Sequence, residues 1–140
     1  MAVEVFSDEW AQRFKDEINN SSAYRSAAKG WKWTAGLVVE AEPDKNFPES
    51  GGVVMDLFDG EARAIRVGSA ADAQKCDFVI TAPYSRWKQV VKKELDATKG
   101  MLQGRLKLKG DLPTIVRYTK AVQELVECAT RVPVNWPDEK

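Results

Sequence analysis

From Arg105 to Lys109 charged residues alternate with leucines, a period of two that predicts a strand with one apolar and one wet face. Gly104 stands before this strand and Gly110 after it, where the chain needs a sharp turn or a positive φ. Asp111 then caps a helix whose first turn holds Pro113, at a position where a missing N–H costs nothing. Ile115, Tyr118, Val122, Leu125, Val126 and Ala129 recur at helical spacing, so one long helix is predicted to run to Arg131.

Earlier in the chain the period changes several times. Ser7 caps a first helix, with Asp8 and Glu9 near its positive end and Trp10, Phe14 and Ile18 as its buried stripe. A short second helix over 22–29 stops at Gly30. Residues 31–42 alternate as a strand, with Trp33, Ala35, Leu37 and Val39 on one side and Thr34, Gly36, Val38 and Glu40 on the other. Pro43 to Gly52 is the longest gap and a candidate mobile flap. Strands over 52–58 and 61–67 are joined by Asp59-Gly60, a strong hairpin signal. Residues 68–75 form a connection with room for one helical turn.

A fourth strand follows over 76–81, with Cys76, Phe78 and Ile80 on one face. The next helix has Pro83 in its first turn and Trp87, Val90, Val91 and Leu95 along one side. Asp96 to Gly100 reads as a turn, and Met101-Leu102 as a short segment before Gly104. The order of elements predicts an α+β fold: a five-stranded mixed, mostly antiparallel sheet covered on one face by helices. One domain is expected over residues 1–132, with 133–140 a tail docked by Trp136.

Composition narrows the class. Apolar residues at 44% and charged residues at 30% describe a globular chain able to bury a core. Cys76 and Cys128 are far apart and read as free thiols of a reducing compartment. Residues 1–14 carry acidic side chains and no apolar run, so no signal peptide is expected and the cytoplasm is the expected location. Net charge is zero, yet residues 1–62 hold twelve acidic and six basic side chains, and residues 84–120 hold ten basic and three acidic. A basic face of that kind is a candidate for transient contact with acidic membrane surfaces, or simply pairs with acidic surface elsewhere.

Chemistry is scarce. There is no histidine, which removes Ser–His–Asp and Cys–His catalysis and most catalytic zinc geometries. No phosphate loop precedes Lys99 or Lys109, and no cofactor or metal is expected. The lysine strand lacks interleaved aromatic residues, so nucleic acid is not expected as a partner. Glu40, Glu42 and Asp56 remain as a candidate acid group for an enzyme, against the reading of a solvated sheet face. What stands out is the apolar inventory, with five tryptophans, five phenylalanines and three tyrosines. Two apolar helix faces and one sheet face point together, either as a filled core or as the walls of a hydrophobic tunnel, and periodicity does not separate the two.

Several of these segments carry a family likeness. Gly100, Met101 and the run Gly104-Arg105-Leu106-Lys107-Leu108-Lys109-Gly110-Asp111 resemble the end of the sterol carrier protein 2 family. So do Asp77-Phe78-Val79-Ile80 before the Trp87 helix, and the Asp56 to Val67 hairpin. Trp10, Asn19, Tyr24 and Trp31 are similar to the bacterial and archaeal single-domain members. The resemblance implies a five-stranded sheet with a lipid-binding tunnel beneath its helices. It also implies low-selectivity binding or transfer of fatty acids, acyl-CoA, phospholipids or sterol-like molecules, without catalysis. Gly104, Gly110 and Asp111 match the family's structural positions. The expected lining is Leu37, Val39, Phe78, Ile80, Trp87, Val91, Leu102, Ile115, Tyr118 and Val122. Arg105, Lys107 and Lys109 are candidates for contact with an anionic headgroup. A protein–protein interaction or dimerisation module beside a lipid-metabolising enzyme is the alternative, and the chain is expected to be a monomer or a homodimer.

Overall fold

A two-residue strand, β1 (Val3–Glu4), leads into helix α1 (Asp8–Asn19) and the short α2 (Ser22–Ala27) in the computed structural model, which describes residues 1–140. Both helices start on a serine: the Trp10 N–H donates to Ser7 Oγ at 3.2 Å and the Tyr24 N–H to Ser21 Oγ at 3.0 Å. Trp10, Phe14 and Ile18 are buried, as their spacing requires. Asn19 ties the end of α1 to the sheet. Its amide donates to the Ala62 carbonyl at 3.0 Å and its oxygen accepts the Ala62 N–H at 2.8 Å.

The sheet is built from β2 (Thr34–Glu40), β3 (Gly51–Phe58), β4 (Glu61–Gly68), β5 (Phe78–Pro83) and β6 (Lys107–Lys109), in the order β4-β3-β2-β5-β6. Within this sheet only β2 and β5 pair parallel. The β3–β4 hairpin turns on Asp59 (φ 50) and Gly60 (φ 89), both left-handed as a two-residue turn of this type demands. Register sets two apolar rows on one face. Ile65, Met55, Ala35 and Phe78 lie side by side, and next to them Val67, Val53, Leu37, Ile80 and Leu108.

Helices α4 (Tyr84–Val91), α5 (Ala97–Leu102), α6 (Leu112–Arg117) and α7 (Thr119–Thr130) complete the fold with a last short strand, β7 (Val134–Asn135). The main core lies between the apolar rows and the helices. The single-turn helix α3 (Ala70–Ala73) adds a small layer on the other face of the sheet, over Val38 and Val79. Glycine makes that approach possible: a Cβ on Gly36 would fall 2.1 Å from the Ala73 carbonyl oxygen, and one on Gly52 2.2 Å from that of Ser69. Cys76 packs with this outer cluster and not with Phe78 and Ile80 as its spacing suggested, because the strand begins only at Phe78.

Three further expectations change. The long final helix is broken at Tyr118 (φ −103, ψ 27), where the ring is held edge-on to Trp31 at 5.2 Å and the Thr119 hydroxyl takes the Val116 carbonyl. The stretch read as a turn at Asp96–Gly100 is the start of α5, capped by the Asp96 carboxylate on the Lys99 N–H at 2.9 Å. Gly100 signalled a break there, yet it sits inside α5 close against Leu106, whose side chain a Cβ would meet at 3.1 Å. The 43–50 loop is pinned where a free flap was expected. Phe47 stacks on Tyr84 at 4.9 Å and 14°, and the Asn46 amide donates to the Pro137 carbonyl at 3.1 Å. At the C-terminus β7 pairs parallel with β1, and Trp136 is buried.

Candidate ligand cavity

Between the apolar sheet face and the helices lies a void with about 110 Å³ open to the centre of a water-sized sphere. Every residue around it is hydrophobic. Leu37 comes from β2, Phe78 and Ile80 from β5, Trp87 and Val91 from α4, Ile115 from α6, Tyr118 from the helix break and Val122 from α7. Val39 is sealed in the core behind this wall. Leu102 points into solvent, 57% exposed. Its place on the wall is taken by Met101, since one helical step separates the two and α5 turns only one of them inward.

More of the wall comes from Trp10 and Phe14 of α1, Tyr24 of α2, Met55 of β3 and Leu106. Their apolar periodicity was visible in the sequence. Which faces converge on one space was not, because that depends on the crossovers.

The wall presents hydrocarbon, and three of its aromatic polar groups are bonded to backbone. Trp87 Nε1–H donates to the Val38 carbonyl at 2.9 Å, Trp31 Nε1–H to that of Trp33 at 2.8 Å, and the Tyr118 hydroxyl to that of Lys29 at 3.4 Å. Burial pushes the Tyr24 hydroxyl well above its ordinary pKa, so it stays neutral. No charged side chain lines the space. An ionised group placed there would lose its hydration without compensation, so the occupant has to be apolar over the part that enters. Voids of about 150 Å³ hold benzene. A longer occupant fits only if side chains move aside, and Met55 and Met101 are the most pliable of those present.

The candidate polar residues are dispersed. Glu42 accepts the Ser85 N–H at 2.6 Å at the start of α4, Asp56 pairs with Arg63 at 3.0 Å, and Glu40 is exposed at the end of β2. They form no common acid group. On β6, Lys107 lies opposite Thr81 and Lys109 opposite Val79, on the face turned away from the cavity. The alternation that made this strand legible is the cause: Leu106 and Leu108 take the cavity side, and Arg105, Lys107 and Lys109 are left exposed. They cannot seat the headgroup of a ligand held in this cavity. Gly104 (φ 76) and Gly110 (φ 140) do hold left-handed backbone, and a Cβ on Gly110 would strike the Phe78 ring at 2.6 Å. Asp111 caps α6 through the Thr114 N–H at 3.1 Å.

The sequence and this arrangement of sheet and helices match a known family. The profile of the SCP-2 sterol transfer family matches residues 12–123. The chain belongs to that family. No curated protein sequence matches this SCP-2 chain. Among solved structures, a crystal structure of sterol carrier protein 2 is 35% identical, with a TM-score of 0.85 over 92% of this chain and 99% of the other. A conserved hypothetical protein from Thermus thermophilus, described as possibly a sterol carrier protein, is 34% identical, with a TM-score of 0.83 over 96% and 93%. The apo form of sterol carrier protein 2 from Yarrowia lipolytica shares the fold at 17% identity and a TM-score of 0.57, over 93% and 98%. No helix of this SCP-2 chain is long and apolar enough to cross a membrane.

Proposed function

We propose that this protein binds the long apolar part of a lipid in the cavity and carries it through water without transforming it. The ligand class is a fatty acid, an acyl thioester, a phospholipid or a sterol-like molecule. The observation that carries this reading is the wall of hydrophobic residues only, with the Trp87 and Trp31 N–H groups turned to the backbone. Membership of the SCP-2 sterol transfer family supports it. The two free thiols fit a reducing cytoplasm.

Magnitudes fit low selectivity. Burying a sixteen-carbon chain gains on the order of 12 kcal/mol at about 0.8 kcal/mol per methylene. Association and the ordering of a flexible chain take back much of that, and opening the wall takes more. What remains supports useful affinity without a polar clamp deep in the cavity.

Native mass spectrometry of protein purified without detergent, followed by organic extraction, tests the reading. The expected result is copurified long-chain lipid at about one per chain, or uptake of a fluorescent acyl probe by the stripped protein. A bare mass together with no probe uptake would overturn it and favour an interaction module with a closed core.

A further inference from the structure

On the helix side a polar cleft opens directly against the cavity. Val90, Ala97, Val122 and Val126 line both spaces. None of the four is larger than valine, so the wall between cavity and solvent is thin there. The cleft has about 560 Å³ open to the centre of a water-sized sphere, room for a hydrated headgroup. Its rim carries Lys93 from the turn after α4, Asp96, Lys120, Glu124 and Glu127, and Arg131 after α7.

The rim charges are not equivalent. Asp96 is spent on capping α5, and Glu124 pairs with Lys120 at 3.1 Å. Lys93 pairs with Glu127, which links the end of α4 to α7 across the cleft. Arg131 has no carboxylate partner, and its guanidinium makes only a 3.7 Å contact with Cys128 Sγ. One cation therefore has no ion-pair partner, although Glu127 lies within its field, and another is held by a partly exposed carboxylate that a competing anion can replace. Lys93 also sits at φ 64, where glycine is the usual residue after a helix, so the turn accepts backbone strain to keep a lysine at this point.

We propose that this cleft is the mouth of the cavity and the seat of a carboxylate headgroup. A long-chain carboxylate passes its tail between Val90, Ala97, Val122 and Val126, and its head displaces Glu127 from Lys93 and lies between Lys93 and Arg131. The inference rests on the lipid-binding reading and adds the route and the headgroup to it. The head stays in the wet cleft, where its charge keeps water and two cations, and only hydrocarbon crosses the apolar wall. The ion pair across the cleft acts as a latch that the ligand itself opens.

The test compares pyrene-dodecanoic acid with pyrene-dodecanol, which share a tail and differ in headgroup charge. The wild-type protein is expected to bind the acid about fivefold more tightly than the alcohol, the scale of one partly exposed ion pair. Lys93→Gln should erase that preference and leave alcohol binding intact. Lys93→Gly should do the same in a chain relieved of backbone strain, so a loss cannot be laid to misfolding. Salt at about 0.5 M should also erase it, and Lys107→Gln, on the far face of the sheet, should not. Equal wild-type affinity for both probes, or a preference that survives both Lys93 variants, would overturn the headgroup seat and leave the cavity reading standing. Failure of both probes to bind would sink the lipid-binding reading and the headgroup seat with it.

Discussion

Phe6 lines the cavity, and behind it Phe47, Tyr84 and Trp136 pack ring against ring; on the α4–α7 side three valines and an alanine separate the cavity from the polar cleft. The aromatic end is fastened again from outside. Tyr84 donates its hydroxyl to Asp138 at 2.6 Å, Lys88 pairs with Asp138 at 2.9 Å and with Glu139 at 2.7 Å, and Lys140 pairs with Glu4. The valine side has one ion pair across it, between Lys93 and Glu127. Rings and a part-buried charge network make a wall that moves only as a unit. Small aliphatic side chains beneath a single exposed pair make a wall that opens locally, and that contrast assigns the stable and the yielding parts of one cavity.

The largest effect is expected at the aromatic end. Trp136→Ala removes a buried ring that contacts both Phe6 and Tyr84. It should cost about 3–5 kcal/mol and lower Tm by about 10 °C, read by calorimetry. A drop of a degree or two would mean that the C-terminal segment is an ornament, and that the two walls do not differ as described.

Next in size, Val122→Trp or Val91→Trp should block uptake of an acyl probe while the chain stays folded, because the added ring fills space that is already empty. Unchanged uptake by both folded variants would remove these two residues from the lining.

Acid should act on both walls unequally. The Tyr84 hydroxyl and Lys88 hold the Asp138 carboxyl below its ordinary range, Lys88 and Lys92 do so for Glu139, and Lys140 does so for Glu4. On the valine side Lys93 holds Glu127 down in the same way. A lowered folded-state pKa stabilises the fold above the unfolded value and is lost as pH falls through the folded one. These contributions are therefore complete above the ordinary values of 3.8 for Asp and 4.5 for Glu, and they fade as pH falls from there through the lowered ones. Three carboxylates fasten the tail and one fastens the latch, so the protection factors of the Val3 and Val5 amides, which donate to Pro133 and Asn135, should fall more steeply on acidification than those in α7. An equal loss of protection in both places would count against the fastened tail.

Much of this was legible in sequence, and the parts that were not share a cause. Asp59-Gly60, the Arg105–Lys109 alternation and the Asp111 cap are local devices, each with its own residue requirement; the turn and the cap appear where their patterns place them, and the alternation forms a strand over Lys107–Lys109 only. Strands β1 and β7 are two residues long, too short to show any period, and they exist because the chain ends meet. At the helix break Tyr118 packs on Trp31, far away in sequence. On the cavity wall Phe78, Trp87 and Tyr118 were recoverable from their apolar registers. Leu102 is not legible as solvent-facing, because the sequence of α5 reads as a turn and a short segment, and only the helix sends Met101 and Leu102 to opposite sides. The basic strand is the reverse case: its alternation is legible, but which side faces the cavity is not, and the cavity lies on the leucine side.

The smallest effect separates the two walls most cleanly. Lys92→Gln removes the 2.7 Å pair with Glu139 at the fastened end, and Glu127→Gln removes the pair with Lys93 over the mouth. Both pairs are exposed, and such pairs contribute little to stability, so the two variants should have nearly the same urea midpoint as the wild type. Their kinetics should differ. Glu127→Gln takes away the carboxylate that a ligand head must displace and unties α4 from α7, so stopped-flow uptake of pyrene-dodecanoic acid should be several-fold faster. Lys92→Gln loosens one of several ties on a wall of stacked rings, and uptake should be unchanged. Equal rates in the two variants would mean that the ligand does not pass beneath the Lys93–Glu127 pair, whatever the volume of the cleft beside it.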